Sequence, residues 1–152
     1  NARMDTIQAA MLREKLPLLD ENNAWRAKIA EVYLRELHGL TWLRLPRTHP
    51  EICKHVWHQF VVCTDDRDGL RTHLERRGIP TLVHYPIPPH LSSAYADLRL
   101  KRGDLPVTED LSAKVLSLPM GPHMTEKGAL QVAAAVRSFP VSCEQSSIRV
   151  KG

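Results

Sequence analysis

The chain has 152 residues, of which 43% are hydrophobic and 25% charged, enough for one domain with a core of ordinary size. No run reaches the length of a membrane span, and the N-terminus carries no secretory pattern. The net charge is +4, but the 21 Lys and Arg are interleaved with 17 Asp and Glu, which describes a mixed solvated surface better than a nucleic-acid-binding stripe.

The three cysteines, Cys53, Cys63 and Cys143, are odd in number and form no Cys-x-x-Cys. That argues against a disulfide framework or a zinc knuckle and for a reducing, cytoplasmic setting. The chain begins at Asn1 rather than Met, so a longer parent protein is expected.

In chain order, Asp5-Thr6-Ile7-Gln8 has the form of a capping box opening a helix. Ile7, Ala10 and Met11 share one face of it, and Ala9, Leu12 and Leu16 an adjacent one. A helix so apolar is expected to be buried over most of its circumference against something large, which the visible chain does not supply. Pro17 disfavours helix at Leu16 and suits the first turn of a second helix, from Leu18 to His38. Trp25, Ile29, Val32, Tyr33 and Leu37 form its apolar stripe, and Gly39 its stop.

The pattern then changes to β. Trp42 to Leu45 reads as a short strand ended by Pro46, and Arg47 to Glu51 as a loop. His55 to Cys63 alternates with partly apolar character on both faces and reads as a central strand, with Trp57 and Phe60 opposed and His55 and His58 opposed. Opposed histidines do not ligate one metal together. Asp65 to Asp68 opens a helix through Arg77 with Leu70 and Leu74 inward, ended by Gly78. Ile79 to Tyr85 reads as the next strand. Pro86, Pro88 and Pro89 stiffen its exit, so His84, Tyr85 and His90 sit on a rigid loop past a strand end.

Beyond it, Leu91 to Leu98 allows a short helix, Lys101 to Leu105 a charged loop, Pro106 to Val115 a helix and Leu116 to Pro119 a strand. Thr125 caps a last helix in which Ala129, Val132, Ala133 and Val136 share a face. The expected fold is α+β: two N-terminal helices over 1–40, then a domain over 41–140 in which about three strands carry helices on one face, then a loose tail over 141–152.

Several stretches together resemble the DegT/DnrJ/StrS sugar aminotransferases. Asn1-Ala2-Arg3-Met4-Asp5-Thr6-Ile7-Gln8-Ala9-Ala10 is similar to the family's Asn-x-Arg-Met/Leu-Asp-x-Ile/Leu-Gln-Ala-Ala signature. Lys15-Leu16-Pro17, His55-Val56-Trp57-His58-Gln59-Phe60, Gly78-Ile79-Pro80-Thr81, His84-Tyr85-Pro86, Pro89-His90, Ala94-Tyr95, Pro106-Val107-Thr108-Glu109 and Leu116-Ser117-Leu118-Pro119 follow in the family's order, covering Asn1 to Pro140. Ile87-Pro88-Pro89-His90 most resembles members that aminate 3-keto-6-deoxyhexoses carried on a nucleoside diphosphate.

The resemblance implies the C-terminal small domain of a fold-type-I enzyme that uses pyridoxal 5'-phosphate. It implies an amino donor, glutamate in most of the family, and a keto-sugar nucleotide as acceptor. It implies a homodimer whose active sites use both subunits. The Schiff-base lysine and the aspartate facing the pyridinium nitrogen belong to the half of the family fold that precedes Asn1, so no catalytic residue is assigned to this chain. Asn1 and Arg3 are implied at the cofactor phosphate, and His84, Tyr85 and His90 at the sugar nucleotide; Trp57 and His58 read as core. No metal, nucleic-acid or membrane partner is implied. The competing class is a non-catalytic α+β module that binds a nucleotide or a protein.

Overall fold

A computed structural model describes residues 3–48 and 54–141. Two N-terminal helices lead. In α1 (Thr6–Lys15) the carboxylate of Asp5 accepts from the backbone N–H of Ile7 at 2.8 Å. A single 3-10 turn, Leu16–Leu18, leads into α2 (Leu19–Leu37). Leu16 keeps right-handed helical angles (φ −58°, ψ −42°) in spite of the proline that follows, so the expected break at Leu16 is only a tightened turn.

The two helices differ in burial. Ile29, Ala30, Val32, Tyr33 and Leu37 of α2 are buried, whereas α1 buries no residue, and Ile7 is 72% exposed. The expectation that α1 is buried is therefore not met within this chain. Gly39 ends α2 with φ +82°, a conformation that L side chains disfavour.

The sheet is smaller than its sequence pattern. β1 (Phe60–Cys63) pairs antiparallel with β2 (Val115–Leu118), with Phe60 opposite Leu118 and Val62 opposite Leu116. Single bridges flank this ladder, Arg44 to Cys63 on one side and Leu82 to Ser117 on the other. The three-stranded sheet expected from sequence is thus a two-stranded ladder with one bridging residue at each edge among the described residues. His55 to Gln59 lie outside the strand. Trp57 takes φ +49°, which ends the extended run, and its ring stacks 5.6 Å from that of Phe60 rather than opposing it. His58, expected in the core, is exposed.

α3 (Arg67–Glu75) opens on Asp66, whose carboxylate accepts from the Gly69 N–H at 3.0 Å, and buries Leu70 and Leu74. Two short 3-10 turns, Pro89–Leu91 and Ser93–Leu98, replace the single helix expected after His90. α4 (Pro106–Lys114) leads directly into β2. α5 (Glu126–Arg137) starts where the Thr125 hydroxyl accepts from the Gly128 N–H at 3.0 Å.

One core joins these pieces. α2 lies on α5, and α5 and β2 both touch α3. Phe60, Val62, Leu116 and Leu118 of the ladder join Tyr33, Leu37, Leu70, Leu74 and Val136 in one buried cluster. The ring of Tyr33 lies 4.9 Å from that of Phe60. Its hydroxyl donates to the Pro119 carbonyl at 2.8 Å, and burial pushes the phenol pKa upward. The indole N–H of Trp25 donates to the Met124 carbonyl at 2.7 Å. Two α2 side chains thus hold the two ends of the turn that follows β2. Among the described residues no helix is long and apolar enough to cross a membrane.

Candidate functional site

The loop that starts at His84 is held from behind by the α4–β2 segment. Leu82 forms the edge bridge, with Ser117 N–H donating to the Leu82 carbonyl at 2.8 Å and Leu82 N–H to the Ser117 carbonyl at 3.2 Å. Two residues later, Nδ1 of His84 lies 2.9 Å from the Ser117 hydroxyl. The peptide between His84 and Tyr85 is cis. The hydroxyl of Ser112 donates to the Tyr85 carbonyl at 2.7 Å, and Tyr85 as a residue is 69% exposed.

His90 sits differently from the other two candidates on this loop. It is buried, with Nε2 3.2 Å from the Glu109 carboxylate. The same carboxylate oxygen accepts from the Gly103 N–H at 2.8 Å. That backbone bond, together with the contact to His90, holds the Glu109 pKa below the ordinary carboxylate range. Glu109 thereby closes the long loop on itself, because one side chain of α4 grips both its 3-10 turn and its charged return.

His84 lines a cavity of about 440 Å³. Its wall includes His58, Ser117 and His123, with Leu82, Pro119 and Met120 supplying apolar surface. Three imidazoles therefore converge on one concave surface. Among the described residues no group of three His, Cys, Asp or Glu has the placement of a metal site. Imidazole donors beside an apolar floor suit a ligand with hydroxyls or phosphate oxygens on one part and a ring on another.

Of the residues singled out from sequence, His84 lies in this wall and Tyr85 is exposed on the adjoining loop. His90 is not part of the wall but braces the loop from inside. Arg3 is exposed ahead of α1. Asn1 lies outside the described residues. Sequence reading missed Ser117, Ser112 and Glu109, whose bonds span 33, 27 and 19 positions. It also placed His58 in the core and passed over His123. The one local signal for either was a histidine beside a turn.

Lysine placement tests the fit to pyridoxal phosphate. Lys15, Lys28, Lys54, Lys101 and Lys127 are exposed. Lys114 is half-buried, but its ammonium lies 2.7 Å from Asp110 and 3.0 Å from Asp65. Hydrogen bonds to those carboxylates, Asp110 foremost, raise its pKa. A Schiff-base lysine needs the opposite shift. The described residues therefore do not fit the covalent seat of that cofactor.

Comparison with known proteins agrees with the motif reading. The family model described as the DegT/DnrJ/EryC1/StrS aminotransferase family matches residues 1–137. The chain is 48% identical over 138 residues to the erythromycin biosynthesis sensory transduction protein EryC1 of Saccharopolyspora erythraea, covering 91% of this chain and 37% of that one. It is 47% identical over 146 residues to the dTDP-3-amino-3,4,6-trideoxy-alpha-D-glucose transaminase of Streptomyces venezuelae, covering 96% of this chain and 38% of that one. The crystal structure of S. venezuelae DesV superimposes with a TM-score of 0.87 at 48% identity, over 92% of this chain and 38% of that one. The chain thus spans under two fifths of the length of these curated relatives.

Proposed function

This chain belongs to the DegT/DnrJ/EryC1/StrS aminotransferase family, and from that premise we propose that it is the C-terminal portion of a pyridoxal-phosphate-dependent sugar-nucleotide aminotransferase. The reaction moves an amino group from glutamate to a keto-deoxysugar carried on a nucleoside diphosphate, in deoxysugar biosynthesis. The observation that carries this reading is the cavity of His58, His84 and His123 beside Ser117, in a chain 47% identical to a dTDP-amino-sugar transaminase.

In this reading residues 41–140 are the enzyme's small domain and residues 1–40 join it to a large domain; beyond Val141, the tail expected from sequence lies outside the described residues. The exposed apolar side of α1 supports that division, because such a surface calls for a cover. The enzyme is a cytoplasmic homodimer with active sites shared between subunits. The lysine environments support a cofactor held covalently by another part of the protein, so this stretch alone transfers no amino group.

What these residues do is bind and orient. His84, aided by His58 and His123, offers imidazole donors to sugar hydroxyls and diphosphate oxygens, while Leu82, Pro119 and Met120 exclude water from the sugar's apolar face. Tyr85 presents an exposed side chain beside His84, their rings 5.7 Å apart. Asn1 and Arg3 serve the cofactor phosphate as amide and guanidinium donors. His90 reaches the same substrate through the loop it braces.

The test is amino transfer by the purified full-length protein. With L-glutamate and a dTDP-linked 3-keto-6-deoxyhexose, mass spectrometry should find the amino sugar nucleotide, and His84→Ala should raise KM for the sugar nucleotide. Full-length protein that binds pyridoxal phosphate yet transfers nothing to any keto-sugar nucleotide would favour the non-catalytic module.

A further inference from the structure

We propose that Ser117 is the positioning residue of the sugar-facing imidazole. Its hydroxyl donates to Nδ1 of His84, leaves the proton of the neutral ring on Nε2, and aims that N–H into the cavity. The proposal rests on the preceding reading of the cavity as a sugar-nucleotide site. It adds a residue and a protonation pattern to that site.

Three observations carry it. First, Ser117 is fixed within the sheet by its backbone bonds. It is 6% exposed, lies in β2, and exchanges two backbone hydrogen bonds with Leu82 while pairing with Val61 on its other side. A side chain mounted there holds its direction better than one on a loop.

Second, the contact is short, with 2.9 Å between Oγ and Nδ1, and among the described residues the Ser117 hydroxyl has no other hydrogen-bond partner. A hydroxyl carries one proton and two lone pairs. If it accepted from Nδ1–H, its own proton would be left without a protein acceptor among the described residues. If it donates to Nδ1, the proton is satisfied and only lone pairs stay free. An unmade donor bond in a buried setting is the costlier choice, so donation follows.

Third, the ring spans the distance from strand to cavity. His84 lines the same cavity as His58 and His123, and nothing among the described residues bonds its Nε2. With Nδ1 occupied from behind, Nε2–H faces the ligand. A nucleoside diphosphate sugar is rich in acceptor oxygens, and a fixed N–H donor complements it without requiring a charged ring.

Ser112 is the internal contrast. It holds the backbone carbonyl of Tyr85 at 2.7 Å and, among the described residues, makes no hydrogen bond to an imidazole. Loss of Ser112 loosens the loop; loss of Ser117 frees the ring. The two are separable because only one of them sets a tautomer.

The experiment uses the full-length protein, labelled with nitrogen-15 in its histidines, and reads the His84 ring by long-range proton–nitrogen correlation, with His84→Gln to assign the signals. The wild type should show the Nε2–H tautomer. Ser117→Ala should convert it to a mixture, Ser117→Thr should restore it, and Ser112→Ala should leave it unchanged. In steady-state assays with a dTDP-linked 3-keto-6-deoxyhexose, Ser117→Ala should lower kcat/KM for that substrate by about tenfold, the scale of one lost hydrogen bond. The half-reaction with L-glutamate should be unaltered.

An Nδ1–H tautomer in the wild type overturns the proposal. So does a Ser117→Ala spectrum identical to wild type, or an equal loss in both half-reactions. The ring's tautomer is read without any substrate, so an inactive wild type would sink the proposed function alone. Ser117→Thr keeps the hydroxyl and guards against a strand that fails to form with alanine.

Discussion

α1 and α2 are consecutive helices of similar mean hydropathy, yet one buries five residues and the other none. Leu12 is 51% exposed while Leu37 is fully buried. The difference lies in what each helix meets. α2 runs across α5, and its Trp25 and Tyr33 reach carbonyls at the two ends of the turn that follows β2. α1 packs chiefly on the turn that follows it. An apolar pattern states how much surface needs cover, and tertiary neighbours decide whether this chain provides it.

The largest effect is expected on the buried side of α2. Phe60→Ala removes a fully buried ring that contacts both Tyr33 and Trp57, and should cost about 3–5 kcal/mol, read as a lower urea midpoint. If the protein tolerates it with less than about 1 kcal/mol lost, the packing of α2 on the sheet is wrong.

The helix caps sharpen the same contrast. Thr125→Ala removes the Oγ acceptor at the start of packed α5 and should destabilise the whole fold by about 1 kcal/mol. Asp5→Ala removes the equivalent acceptor from α1. It should lower helicity by circular dichroism without moving the global midpoint of this chain, because α1 carries no core residue. Equal effects on the midpoint would mean that α1 is coupled to the core.

A third change should act on association rather than stability. Replacing Ile7 and Leu12 with serine should leave the midpoint within about 0.5 kcal/mol, as for exposed positions generally. Sedimentation should then show less self-association. Unchanged association would remove α1 as the sticky surface.

The smallest effect concerns pH. Glu109 has a folded pKa below its ordinary value, so it stabilises the fold above the normal carboxylate range. That contribution fades as pH falls through the lowered folded value. Glu109→Gln should therefore be less stable than wild type near neutrality, and the two midpoints should converge in acid. Parallel curves would show that the contacts to Gly103 and His90 do not favour the carboxylate.

Local signals carried the helices. Asp5, Asp66 and Thr125 act where N-caps are expected, Gly39 and Gly78 take positive φ where helices stop, and Leu70, Leu74 and Val136 point inward as their spacing requires. Strand length was not legible in this way. His55 to Gln59 continue the alternation of β1, but Trp57 turns the chain with a positive φ that no period-two pattern encodes. The candidate site was legible in part. The prolines marked the loop, and His84 lies in the cavity wall. What holds the loop was hidden, because Ser112, Ser117 and Glu109 act across long sequence separations and look locally like ordinary helix and strand residues. His90 carries the same lesson: nothing local distinguishes a buried bracing imidazole from an exposed one.

The indole of Trp25 has one further use. Its N–H ends on the Met124 carbonyl, next to His123 in the cavity wall. Indole emission responds to the hydrogen bond at that nitrogen. A ligand that shifts the 119–124 turn would change the colour of Trp25, while Trp42, seated against Phe139, would stay a steady background and Trp57, beside the cavity residue His58, would be replaced by Phe for the reading. The fold thus contains its own optical gauge of cavity occupancy, readable without a label and isolated by a Trp25→Phe control.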